Sequence, residues 1–164
     1  MAYPLSSDAA TRSTDTDALL SRLSAASLGY FSDPISPLLL SPSQRRAASL
    51  RPGLINIGTH ARTWAVDSLV GQFLDALADS AGGSGGEGAR GQVLSLGAGT
   101  DGRFWRVKED REKEGGKGWN CSKWVEVDFA EGTAAKARAV AIKPRLKGAL
   151  GGDPKIRASS SACG

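Results

Sequence analysis

The sequence predicts an α/β fold: the N-terminal part of a doubly wound parallel sheet, preceded by a helical arm and with its sheet incomplete. Three observations predict it. In residues 92–106, QVLSLGAGTDGRFWR, a short apolar run of Val93, Leu94 and Leu96 breaks into Gly97-Ala98-Gly99. A buried parallel strand that ends in a glycine turn is the nucleotide-binding edge of such a sheet. In residues 123–129, KWVEVDF, a second β-prone run closes on Asp128. An acidic residue at the end of the second strand reaches the ribose hydroxyls of a bound nucleoside. Amphipathic helices flank the two strands, as a two-layer fold requires.

Residues 1–16 are rich in Ser, Thr, Asp and Ala and carry little to bury, so disorder is expected there. Residues 17–27 place Leu19, Leu20, Leu23 and Ala26 at helical spacing, with Asp17 as N-cap and Gly29 able to end the helix. Tyr30 and Phe31 read as anchors of this arm. Arg22 lies within the helix and reads either as a solvent-facing arginine or as a functional one. The apolar residues between Pro34 and Pro42 suggest a short helix, and the basic residues 44–52 a loop.

Residues 54–60 lead into 64–79, where Val66, Leu69, Val70, Phe73, Leu74 and Leu77 mark one face of the clearest amphipathic helix in the chain. This face should pack beside the strand at 92–96. Arg62 stands just before it, a fixed charge whose fork suits a carboxylate. Residues 81–91, AGGSGGEGARG, read as a flexible linker. GAGTDG matches the dinucleotide fingerprint through Gly97, Gly99 and Gly102. Asp128 follows the glycines by more than the usual interval of about 20 residues, and the charged run 109–118 reads as an inserted loop that accounts for the difference. Residues 133–142 form a helix by composition, which Pro144 stops.

The formal charge of +4 is mild, and most of the excess lies late in the chain, in residues 136–157. That run lacks interleaved aromatics, so a solvated helix and basic tail are expected rather than a nucleic-acid face. Two cysteines, Cys121 and Cys163, with a single histidine, His60, exclude a disulfide framework and a His-rich metal centre, and no metal is expected. No signal peptide and no apolar run of membrane-spanning length is visible, so the cytoplasm is the default address. Residues 148–164 read as a disordered tail. Only two strands are convincing, 92–96 and 123–127, and a doubly wound domain needs more. The chain therefore reads as the N-terminal half of a longer enzyme or as a truncated product, inactive alone.

Together, LGAGTDGRFWR and EVDF resemble the leucine carboxyl methyltransferases, a branch of the S-adenosylmethionine-dependent methyltransferases with a Rossmann-like fold. The similarity extends to TDTDALLSRLSAASLGYFSDP, INIGTHART and TAAKARAVAIKP, over about residues 14–147, so that residues 17–147 form a partial methyltransferase domain. The resemblance implies S-adenosyl-L-methionine as cofactor and, as acceptor, the C-terminal leucine carboxylate of the type 2A protein phosphatase catalytic subunit. It implies that Gly97 runs past the cofactor, that Asp128 binds its ribose and that Arg62 holds its methionine carboxylate. Arg22 falls where the family usually has a lysine facing the same pocket, which keeps the charge but changes the geometry. Ile57 replaces a usual arginine, and Gly102 replaces a usual threonine, which would loosen the turn. A carboxylate acceptor is already ionised at neutral pH and needs no general base, so no catalytic side chain is assigned.

Other readings remain open on the residues. A carboxyl methyltransferase of the tRNA wybutosine pathway shares the glycine turn and the arm. A nicotinamide-dependent dehydrogenase would use GAGTDG. A truncated, non-catalytic binding module would only engage the phosphatase.

Overall fold

The computed structural model describes residues 6–80, 90–113 and 119–151. The order is α1 (Ser6–Ser27), α2 (Ser36–Leu39), α3 (Pro42–Ala47), α4 (Gly53–Asp79), β1 (Gly91–Leu96), α5 (Arg103–Lys113), β2 (Cys121–Val127), α6 (Ala130–Ile142) and α7 (Pro144–Gly148). Among the described residues the sheet is two-stranded and parallel, with Val93 opposite Trp124 and Leu96 opposite Val127. The mixed α/β class and both strands agree with the sequence reading.

Paired residues share a face, and the two faces differ. Val93 and Trp124 lie on the covered face, where they pack with Val70, Leu77 and Trp119 against buried Leu74, Val107 and Cys121. The face of α4 expected beside the strand is thus there in part: the partly exposed Phe73 lies against Gly91 at the start of β1, whereas Leu69 is exposed. A second core joins Ile35 and Leu39 to Trp105, Val140 and Leu146. The other face of the sheet carries Leu94 and Leu96, which are 62% and 74% exposed, and Val127.

Several expected boundaries change, each for a physical reason. The helix expected to begin at Asp17 begins at Ser6, so the described part of residues 1–16 is helical. Long-range bonds fix it: Thr16 Oγ1 accepts from Gln44 Nε2 at 3.1 Å, and Asp17, inside the helix rather than capping it, takes Arg51 at 2.6 Å. Gly29 ends α1 at φ +80°, as expected. Phe31 stacks on His60, with ring centroids 6.1 Å apart.

Residues 44–47 of the expected loop 44–52 belong to helix α3, because Ser41 and Gln44 form a capping box. Residues 54–60 and 64–79 belong to one continuous helix. Residues 109–113 belong to α5 rather than to an inserted loop, and the pairs Lys108–Glu112 and Lys113–Glu109 support that extension. Gly91 starts β1, and a Cβ there would lie 2.3 Å from Leu77 Cδ1 and 2.7 Å from Phe73 Cζ, so a larger residue would have to displace these α4 side chains. Pro144 both stops α6 and opens α7. The remaining residues of the expected linker, loop and tail (81–89, 114–118 and 152–164, with Cys163) and residues 1–5 lie outside the described residues. No helix among the described residues is long and apolar enough to cross a membrane.

Candidate functional site

The site begins where β1 ends. Gly97 and Gly99 turn the chain at φ +65° and +44°, a region that favours glycine. The amides of Gly97 and Ala98 donate to Val127 O at 2.8 and 3.2 Å, which ties the turn to the end of β2. Asp128 follows directly. Its Oδ2 accepts from the Gly99 amide at 2.7 Å and its Oδ1 from its neighbour Phe129 at 2.6 Å. Each oxygen keeps a free lone pair for a further donor. A Cβ at Gly97 would meet no atom within 4 Å, so this part of the turn faces open space.

The arm closes on the other part of the turn. Asp15 Oδ1 accepts from both the amide and the hydroxyl of Thr100 at 2.7 Å, and a Cβ at Gly99 would collide with it at 2.2 Å. Arg22, which is buried, donates to Thr100 O at 2.9 Å, Thr100 Oγ1 at 3.0 Å and Ser36 Oγ at 3.4 Å. Burial lowers the Arg22 pKa from its ordinary value, against the opposing pull of Asp101, Asp33 and Asp15. The solvent-facing reading of Arg22 is therefore wrong.

Arg22, Arg62, Gly97 and Asp128 all line one groove of about 1260 Å³. Arg62 stands on its wall, exposed, with no hydrogen-bond or ion-pair partner among the described residues. The donor set fits a nucleoside carrying an amino-acid tail: a carboxylate with spare acceptor capacity, an open glycine turn and an unpaired guanidinium. No group of His, Cys, Asp or Glu among the described residues could hold a metal ion.

The residues after the glycines build the walls. Asp67 of α4 accepts from Arg103 Nε at 2.6 Å and Arg106 NH2 at 3.0 Å, and Asp101 pairs with Arg103. Burial alone would lower the Arg106 pKa; Asp67, Asp33 and Asp101 outweigh it and hold the pKa above its ordinary value. Trp105 is buried and donates Nε1–H to Leu146 O at 2.9 Å. Phe104 meets Trp105, Trp119 and Trp124 edge-on. RFWR thus clamps α4, α5 and α7 together, while Arg103 also lines the groove. Gly102 is buried, and a Cβ there would lie 2.6 Å from Ile35 Cγ2, so a threonine at this position would need Ile35 to shift. Sequence reasoning missed Asp15, Asp67 and Lys136, whose Nζ donates to Asp101 O at 2.6 Å and to Glu126 Oε2 at 2.5 Å. Only the composition of the arm hinted at Asp15.

A parallel pair of strands whose glycine turn and strand-end aspartate border one groove defines the nucleotide-binding edge of a doubly wound α/β protein. A family model, "Leucine carboxyl methyltransferase", matches residues 10–149. The chain belongs to the leucine carboxyl methyltransferase family. It is 40% identical over 154 residues to leucine carboxyl methyltransferase 1 of Cryptococcus neoformans var. neoformans serotype D, covering 88% of this chain and 38% of that protein. It is 35% identical over 144 residues to the Aspergillus fumigatus protein of that name, covering 88% and 32%, and 34% identical over 138 residues to that of Schizosaccharomyces pombe, covering 84% and 38%. The chain thus spans well under half the length of these relatives.

Proposed function

We propose that this chain forms the S-adenosyl-L-methionine-binding part of a cytoplasmic methyltransferase acting on the C-terminal leucine carboxylate of the type 2A protein phosphatase catalytic subunit. The observation that carries this reading is the convergence of Arg62, Arg22, Gly97 and Asp128 on one groove.

When bound, the cofactor supplies an electrophilic methyl group on a sulfonium. The chain's residues bind and orient. Asp128 accepts from the ribose hydroxyls through the lone pairs that Gly99 and Phe129 leave free. Gly97, open on its outer side, lets the ligand approach the backbone. Arg62 grips the methionine carboxylate, and with no partner among the described residues both its guanidinium edges serve that task. Arg22 lines the same groove and adds positive charge there while it holds Thr100 in place. No residue has to remove a proton, because a carboxylate acceptor is already ionised at neutral pH. Rate then comes from holding the acceptor oxygen in line with the methyl group.

The test is calorimetric titration of S-adenosylmethionine into the wild-type chain and Asp128→Ala. The expected result is an affinity loss of roughly tenfold to a hundredfold, from hydrogen bonds to a charged group worth about 1.5–3 kcal/mol. Unchanged affinity would remove Asp128 from the site and the reading with it.

A further inference from the structure

The glycine turn matches a dinucleotide fingerprint, yet its polar groups are already taken. A turn of this kind binds phosphate through backbone N–H groups that lack protein partners, together with the open N-terminus of the helix that follows. Here each backbone N–H of residues 97–101 has a protein acceptor. Gly97 and Ala98 donate to Val127 O, Gly99 to Asp128 Oδ2, Thr100 to Asp15 Oδ1, and Asp101 to Ala98 O at 2.9 Å. The start of α5 is closed in the same way, because Asp101 Oδ1 accepts from the Arg103 amide at 3.0 Å.

The space is occupied as well as the bonds. In the fingerprint the second glycine lets a pyrophosphate approach the backbone. At Gly99 the place of a Cβ lies 2.2 Å from Asp15 Oδ1, so the missing side chain makes room for a carboxylate of the chain itself. Asp15, Asp101 and Asp128 thus put three carboxylates on amides that would otherwise bind an anion. The cations beside them are engaged in the walls: Arg22 with Thr100 and Ser36, Arg103 with Asp67 and Asp101, and Lys136 with Asp101 O and Glu126. Asp128 ends a strand and Asp101 caps a helix, so both belong to the turn's own frame. Asp15 reaches it from α1.

We propose that Asp15 is a specificity-determining residue, which closes the glycine turn to phosphate and so reserves the groove for phosphate-free nucleosides; this rests on the reading of the groove as the seat of S-adenosylmethionine. A phosphate brought to the turn meets like charge at close range and has to displace Asp15 from Thr100. A nucleoside without phosphate meets neither obstacle. Asp128 keeps lone pairs for its hydroxyls, and the outer side of Gly97 is open. A nicotinamide dinucleotide, which the GAGTDG match alone would admit, is refused.

The test is calorimetric titration of adenosine, ADP and S-adenosylmethionine into the whole 164-residue chain and into Asp15→Ala and Asp15→Asn. The quantity read is the ratio of ADP to adenosine affinity, which divides out any general change in the groove. Wild type is expected to favour adenosine. In Asp15→Ala, which frees the Thr100 amide and removes the charge, the ratio rises roughly tenfold or more, the scale of one relieved like-charge contact. In Asp15→Asn, whose side-chain oxygen still accepts from Thr100, it rises by less, through the lost charge alone. A wild-type ratio in a folded Asp15→Ala variant overturns the proposal, as does ADP binding to wild type at least as tightly as adenosine. Should Asp15→Ala lose helix content by circular dichroism, Asp15→Asn decides: a raised ratio supports the proposal, and a wild-type ratio sinks it. Adenosine bound without S-adenosylmethionine would remove the methyl-donor reading and leave the closed turn standing. S-adenosylmethionine bound, with ADP at least as tight as adenosine, would do the reverse. A wild-type chain that binds none of the three ligands loses both.

Discussion

At the scale of single residues, the site is a competition for the polar groups of the glycine turn. Among the described residues Arg62 is the free party. If it grips the methionine carboxylate, Arg62→Lys loses affinity for S-adenosylmethionine, because an ammonium cannot form the two parallel bonds of a guanidinium. A decarboxylated analogue is expected to be indifferent to the change; an equal loss for both ligands in calorimetry would make Arg62 structural. Asp15 is the engaged party. It holds the amide and hydroxyl of Thr100 from a position 85 residues earlier. Asp15→Ala removes a charge-assisted pair of bonds and the contact against Gly99, so hydrogen exchange at the start of α1 should accelerate while α4 stays protected. Protection of α1 identical to wild type would show that the arm is held by other contacts.

Elements were legible where their signals are local. Both strands, the end of α1 at Gly29 and helix α6 follow from short runs of sequence, and so does the placing of the glycine turn and Asp128 at adjacent strand ends. The start of α1 was not legible, because its fixing contacts, Asp15–Thr100 and Thr16–Gln44, join distant residues. Nor was the clamp of Arg103 and Arg106 on Asp67, which turns a family motif into a helix–helix bond. The loop expected over residues 44–52 misses helix α3, although Ser41 and Gln44 stand at capping-box spacing.

A second distant pair ties α5 to α7: Arg145 donates to both oxygens of Glu109, at 2.9 and 2.7 Å. The hydrogen bond from Arg145 holds the Glu109 pKa below its ordinary value, against a smaller opposing effect of burial. For a carboxylate depressed in this way, the stabilisation is fully present above the unfolded value of about 4.3 and is lost as pH falls through the folded one. Thermal melts of wild type and Glu109→Gln should therefore differ at neutral pH and converge in acid. A constant offset down to pH 2 would mean that the pair contributes nothing through its charge.

The whole molecule is held unevenly. On one face of the sheet, Val93 and Trp124 pack against α4 and α5; on the other, Leu94 and Leu96 stand largely in water. Helix α4 repeats the asymmetry, burying Leu74 while Leu54, Ile57, Trp64 and Leu69 remain exposed. Parallel sheets are normally covered on both faces, and exposed apolar area of this kind marks an interaction surface or an aggregation liability. The chain studied alone should therefore bind a hydrophobic dye in its native state and self-associate with rising concentration. Leu94→Lys/Leu96→Lys separates this surface from the core. Because both side chains are already exposed, the double substitution should change the melting temperature little, as surface changes are usually within about ±0.5 kcal/mol. It should also lower dye binding and shift light scattering toward monomer. If the double variant instead unfolds the chain, Leu94 and Leu96 are core residues, and the one-sided covering of the sheet is wrong.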